Sequence, residues 1–271
     1  MKEIYYEIKR HPYTFHAIVL LDKKSGVHRV KFGGKVGCVM FSIYEDEGNP
    51  NLDGLGYGKE CAINQVDPRD GLLPGVGTVA MARAALAFIN GIFPGKGSVY
   101  LKDQSKITCA MKRSLSLQHY YIAKHLKTWY EAKLGAKLVD DNQKSKFEQL
   151  EQLLRSKHRD DFAGFLSKYV KPSVPQKQYE SLVPILEEYY KGSETYHEFL
   201  HNLAEDKDCI IFDKWLYKFM TDVTDYKFSD AMWAIPPVED SSTTYNKTRT
   251  KPQFSFVIFG GRDPDAETWM G

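Results

Sequence analysis

KECAINQVDPRDGLLPGVGTVAMARAALAFINGIF, residues 59–93, changes its hydrophobic period part-way along, and that change decides the fold. Over 59–66, Cys61, Ile63 and Gln65 alternate with Glu60, Ala62, Asn64 and Val66, which predicts a strand ending near Val66. DPRDGLLPGVGT then supplies turn residues, and from Thr78 onward Met81, Ala84, Ala85, Phe88, Ile89 and Ile92 fall on one helical face. The expectation is a strand, a glycine loop and a helix. A helix N-terminus has free N–H groups and partial positive charge, and glycines keep Cβ atoms away from an approaching anion. Gly75-Val76-Gly77-Thr78 therefore reads as a phosphate-binding helix start, with a tight turn and a packing glycine as the plain alternative. No Lys-Ser/Thr pair follows the glycines, which excludes a Walker loop, and no glycine lies three residues beyond Gly77, which excludes the Rossmann fingerprint.

Upstream, KEIYYEIKR, TFHAIVLLD and KVGCVMFSIY read as antiparallel strands, with glycines at Gly33, Gly34 and Gly37, and GNPNLDGLGYG (48–58) reads as a turn-rich connection. Downstream, SVYLKD (98–103) reads as a strand, and Leu115, Ile122, Leu126 and Trp129 mark a second helix stopping near Gly135. From Asp141 to about Met232 the period is helical throughout, broken once by Pro172 and Pro175. PPVEDSSTTYNKTRTKP reads as a polar loop, and QFSFVIFGG (253–261) as a last strand returning to the N-terminal sheet. The expected fold class is α/β (α+β), a mixed, mostly antiparallel sheet flanked by helices. Residues 1–141 plus 250–271 form the core, 142–235 a helical block inserted before the last strand, and 236–252 a polar loop.

Composition narrows the partners. With 37 basic and 35 acidic residues the net charge is +2, too balanced for the field that dominates nucleic-acid affinity, so no nucleic-acid partner is expected. The 15 Phe, 17 Tyr and 4 Trp supply ample core anchors. Thr78–Phe93, the longest apolar stretch, carries Arg83 and Asn90 and is shorter than the roughly 20 apolar residues of a membrane span. MKEIYYEIKR lacks an apolar signal region, so a cytoplasmic or other intracellular location, a virion included, is expected. Cys38, Cys61, Cys109 and Cys209 form no CxxC pair and read as buried, reduced thiols, which leaves the Asn246-Lys247-Thr248 sequon little weight.

The order of antiparallel strands, Val-x-Pro at Val66–Pro68, Gly-x-Gly loop, alanine-rich helix, strand, and helix with Tyr130-Glu131 before Gly135 resembles the GNAT acetyltransferase superfamily over roughly residues 30–140. TWYEAKLGA also resembles GNAT-like proteins of large DNA viruses. The resemblance implies acetyl-CoA as cofactor, with Val66 and the amides of Gly75, Val76, Gly77 and Thr78 holding it, and Ser105 standing in for an Asn that many members place near it. It implies Glu60, six residues before Val66, as general base and Tyr130 as proton donor to the leaving thiolate. The implied acceptor is the amine of a small molecule or a protein. Against this stands a non-catalytic GNAT-fold protein whose helical block binds a protein partner, for instance in a viral particle. Leu72, where the family has Gln or Arg, and Ala136, where it has Phe, point that way.

His197-Glu198-Phe199-Leu200-His201 carries the letters of a zinc-hydrolase HExxH, but no further His follows in HNLAEDKD. The expectation is a solvent-facing pair and no metal, with zinc hydrolysis a minor alternative. His119 reads as a satisfied, partly buried histidine, and Lys247, Arg249 and Lys251 as a surface or partner contact. No Gly-x-Ser-x-Gly elbow and no catalytic cysteine context appears.

Overall fold

The computed structural model describes residues 1–46, 48–56, 59–63, 76–110, 113–158, 160–226, 228 and 231–254. Among them the chain is mixed α/β, with a mostly antiparallel nine-stranded sheet and eight α-helices. It divides into two compact units, Met1–Leu101 with Lys133–Lys137 and Trp233–Gly271, and Lys102–Ala132 with Leu138–Met232. Residues 102–132, which the sequence reading counts with the α/β core, thus belong with the helical block.

The first unit is built on strands β1 (Lys2–Arg10), β2 (Tyr13–Leu21), β3 (Val27–Gly33), β4 (Gly37–Tyr44) and β5 (Asn51–Leu55), each antiparallel to the next. Helix α1 (Val76–Ile92) then crosses to β6 (Val99–Lys102), which pairs with β5 in parallel. Met81, Ala84, Ala85, Phe88 and Ile89 are buried, as the helical stripe requires, and Phe88 meets Tyr6 at 5.0 Å and Tyr245 at 5.3 Å. The alanines let the helix lie close to the sheet, while the aromatic pairs fix its position.

The second unit opens with the short hairpin of β7 (Lys106–Thr108) and β8 (Ser114–Ser116) and continues into α2 (Leu117–His125) and α3 (Trp129–Leu134). After β9 (Lys137–Leu138), a strand of the large sheet, come α4 (Asp141–Arg155), α5 (Phe162–Phe165), α6 (Gln176–Lys191), α7 (Tyr196–Asp206) and α8 (Asp213–Thr224). Their inward stripes, among them Phe147, Leu150, Leu154, Phe165, Leu186, Phe199, Leu203 and Trp215, form one apolar core.

The structure corrects several expectations. Lys59–Cys61 is a 3-10 turn rather than the start of a strand, because its main chain is committed elsewhere. The Glu60 carbonyl accepts from the amides of Lys35 and Val36 at 2.7 and 3.2 Å, and Ile63 donates to Thr14. A Cβ at Gly34 would collide with the main chain of Ala62, so glycine permits this close approach. Among the described residues the last strand before α1 is β5, inside the stretch read as turns; pairing with β4 overrides the turn preference of Asn, Asp and Gly. The single second helix is two, because Leu126 closes α2 at φ 56° and Thr128 with Glu131 opens α3 as a reciprocal cap. β10 (Met232–Ile235) and β11 (Thr243–Thr248) are further strands, the latter within the expected polar loop. β11 pairs along β1, and the last strand expected over 253–261 lies, from Ser255 on, outside the described residues. All four cysteines pair, Cys38 with Cys61 and Cys109 with Cys209, which overturns the reduced-thiol reading and the low weight it gave the Asn246 sequon. No described helix is long and apolar enough to cross a membrane.

Candidate functional site

The β5–α1–β6 crossover joins a parallel strand pair through a helix. β5 and β6 register only at Asn51 opposite Tyr100, where the Tyr100 amide donates to Pro50 at 2.8 Å. In a parallel sheet, ligands bind at the C-terminal ends of the strands. At the helix start Val76, Gly77 and Thr78 present amides without intrahelical acceptors, and no acidic residue lies in the first turn. Thr78 is fully buried and its hydroxyl has no hydrogen-bond partner among the described residues. Val66 and Gly75 lie outside the described residues. Glu60, on its own turn, is exposed.

Tyr130 and Ser105 belong to the helical unit, and there they meet a residue that the sequence reading did not select. The main-chain amide of Ser105 donates to Asp103 Oδ1 at 3.1 Å, and its hydroxyl donates to the same oxygen. Asp103 is buried and Oδ2 has no hydrogen-bond partner among the described residues; burial pushes its carboxyl up to about 6 despite the Ser105 donors. Burial, and secondarily the charge of Asp103, holds the Tyr130 hydroxyl well above its ordinary value. A phenol that stays protonated and a carboxyl that titrates near neutrality together offer a proton donor and a proton acceptor. Asp103-Gln104-Ser105 is the short Asp-x-Ser turn pattern, a local signal for this hydrogen bonding.

The HExxH residues are engaged structurally. Thr195 and Glu198 form a capping box at the start of α7, the Glu198 carboxylate accepting from the amides of Glu194 and Thr195. His197 and His201, half-buried rather than solvent-facing, both reach the carbonyl of Lys124. Cys109, Asp208 and Cys209 bring metal-type ligand atoms within 4.8 Å, yet both sulfurs are in the disulfide and Asp208 Oδ1 accepts from Ala110 and Ile210. His119, expected to be partly buried and satisfied, is buried with no hydrogen-bond partner for Nε2 among the described residues, and burial lowers its pKa to about 3.

No protein-family model, curated protein or solved structure matches this chain.

Proposed function

We propose that the chain is a GNAT-like N-acyltransferase that moves an acetyl group from acetyl-CoA to an amine. The observation that supports this reading is the parallel β5–β6 pair joined through a helix that opens on Val76-Gly77-Thr78. The free amides of the helix start suit a pyrophosphate. In the reaction the amine nitrogen attacks the thioester carbonyl, a C–N bond forms and the C–S bond breaks. The ammonium proton passes to a base, for which Glu60 holds the family spacing, and the thiolate takes a proton from Tyr130.

Isothermal titration with acetyl-CoA tests the cofactor assignment. Binding to the wild type and its loss in Gly77→Asp, where a carboxylate would meet the pyrophosphate, is the expected result; a retained melting temperature separates lost binding from lost folding. Absence of binding at millimolar acetyl-CoA would remove the reading.

The two disulfides favour a second reading, a non-catalytic GNAT-fold protein of an oxidised particle such as a virion, with the helical unit as partner surface. The same titration separates the two.

A further inference from the structure

β11 carries the one Asn-x-Ser/Thr sequence in the chain, Asn246-Lys247-Thr248; every other asparagine lacks a hydroxyl residue two positions on. Among the described residues β11 is the outermost strand of the nine-stranded sheet, bonded to β1 along one edge. Tyr245 turns to the α1 side, where its ring meets Phe88 at 5.3 Å and Tyr6 at 6.4 Å. Side chains alternate along a strand, so Asn246 and Thr248 take the opposite face. Asn246 is exposed there, and Glu7, its partner in register, is ion-paired with Lys9 at 3.0 Å.

The cysteines supply independent support. Cys38–Cys61 and Cys109–Cys209 leave no free thiol. Disulfides form and persist in oxidising compartments, and an oxidising lumen is also where carbohydrate is transferred to Asn-x-Ser/Thr. Exposure separates a usable acceptor from an idle one. A glycan is bulky and hydrated, and Asn246 offers it a solvated position on a strand with no described strand beyond it. A glycan there also shields the outer edge of β11, the kind of edge that proteins protect against pairing with another chain.

We propose that Asn246 is a site of N-linked glycosylation. Its Nδ2 attacks the anomeric carbon of an oligosaccharide carried on a lipid diphosphate. The C–N bond forms as the C–O bond to the diphosphate breaks, the lipid diphosphate leaves, and one amide proton passes to a base of the transferase. The Thr248 hydroxyl, which accepts from the Thr250 amide at 3.2 Å in the folded chain, is the other half of the acceptor signal. The proposal takes the chain through an oxidising lumen, in place of the cytoplasmic location expected from its first residues, and does not depend on acyl transfer.

The test is the intact mass of the full chain produced in its natural host cells, measured before and after treatment with a peptide N-glycosidase, with the modified residue located by peptide mapping. The expected result is a mass excess that the enzyme removes and that maps to Asn246. It should be absent from Asn246→Gln and from Thr248→Ala, and kept in Thr248→Ser, which restores the hydroxyl. An unmodified wild-type mass would overturn the proposal, and so would an excess that persists in Asn246→Gln or in Thr248→Ala. The two loss variants change different residues, so if one fails to fold the other decides.

Discussion

His201 Nδ1 lies 2.8 Å from the carbonyl oxygen of Lys124, in the last turn of α2, and His197 Nε2 reaches the same oxygen at 3.4 Å. The i, i+4 spacing that would let two imidazoles share a zinc ion here lets two rings converge on a carbonyl near a helix C-terminus. Purified protein is therefore expected to hold no stoichiometric zinc by elemental analysis, and chelator should leave the melting temperature unchanged. His201→Ala should cost about 1 kcal/mol in denaturant unfolding, and His197→Ala less because its contact is longer. One tightly held metal per chain would contradict this.

Asp103 and His119 oppose each other in acid. The Asp103 carboxyl is raised to about 6, so between the unfolded value and 6 the folded chain binds the extra proton, and this group's contribution falls as pH rises. The His119 pKa is lowered to about 3, so below about 6.5 the unfolded chain binds the extra proton, and this group's contribution falls as pH drops. Between about pH 4 and 6 the two slopes oppose each other. Asp103→Asn should uncover the His119 slope, making the variant lose stability from pH 6 to 4 relative to wild type, while at pH 7.5 it is more stable. Parallel stability curves for the two proteins would sink the assignment.

Cys38–Cys61 spans 23 residues and Cys109–Cys209 spans 100. On the chain-entropy argument both stabilise by restricting the unfolded state, the longer loop by more, in the range of about 3–5 kcal/mol each. Thiol titration of unfolded, unreduced protein should find no free thiols, and Cys109→Ala/Cys209→Ala should lower stability more than Cys38→Ala/Cys61→Ala. Titratable thiols before reduction would restore the reduced reading.

What the sequence made legible follows the range of the interactions. The α1 stripe and the apolar periods of the helical block are local patterns, and Met81, Phe88, Leu150, Phe199 and Leu203 are buried accordingly. Thr128-x-x-Glu131 was legible too, a capping box that announces α3, but the apolar run across it masked the break at Leu126. β5 was hidden because Asn51, Asp53 and Gly54 are turn formers held extended by β4, Ser42 donating to Asp53 at 2.6 Å. The disulfide partners and the burial of Asp103 depend on residues remote in sequence, Cys209 and Tyr226 among them, and no spacing rule reports those. Tyr130 and Ser105 are named through the family resemblance, whereas Asp103, which ties to both, is not.

At the start of α1, Thr78→Val separates folding from binding. The substitution deletes a buried hydroxyl without a hydrogen-bond partner among the described residues and keeps the side-chain shape, so the free protein should gain about 1 kcal/mol. If that hydroxyl meets a phosphate oxygen, acetyl-CoA affinity should drop about tenfold in the same variant. Higher stability with unchanged affinity would confine Thr78 to packing.

Glu60 and Tyr130 carry different signatures under acyl transfer. A base that takes the ammonium proton matters most where the amine is protonated, and typically contributes 10²- to 10⁴-fold. Glu60→Gln should slow turnover at neutral pH, recover as pH rises, and leave acetyl-CoA affinity near wild type. Tyr130 is buried beside Trp129, their ring centroids 5.1 Å apart, and stays protonated across the accessible range. Tyr130→Phe keeps that packing and removes only the hydroxyl, so it should slow the chemical step at every pH without rescue. Glu60 is exposed on a turn whose main chain already serves the β3–β4 connection, a position that also suits a residue with no chemical duty. Single-turnover acetyl transfer across pH distinguishes the roles: an unchanged rate in Glu60→Gln alongside a slowed Tyr130→Phe would move the base assignment off Glu60 and leave the donor in place. Unchanged rates in both would leave neither residue a part in the chemistry.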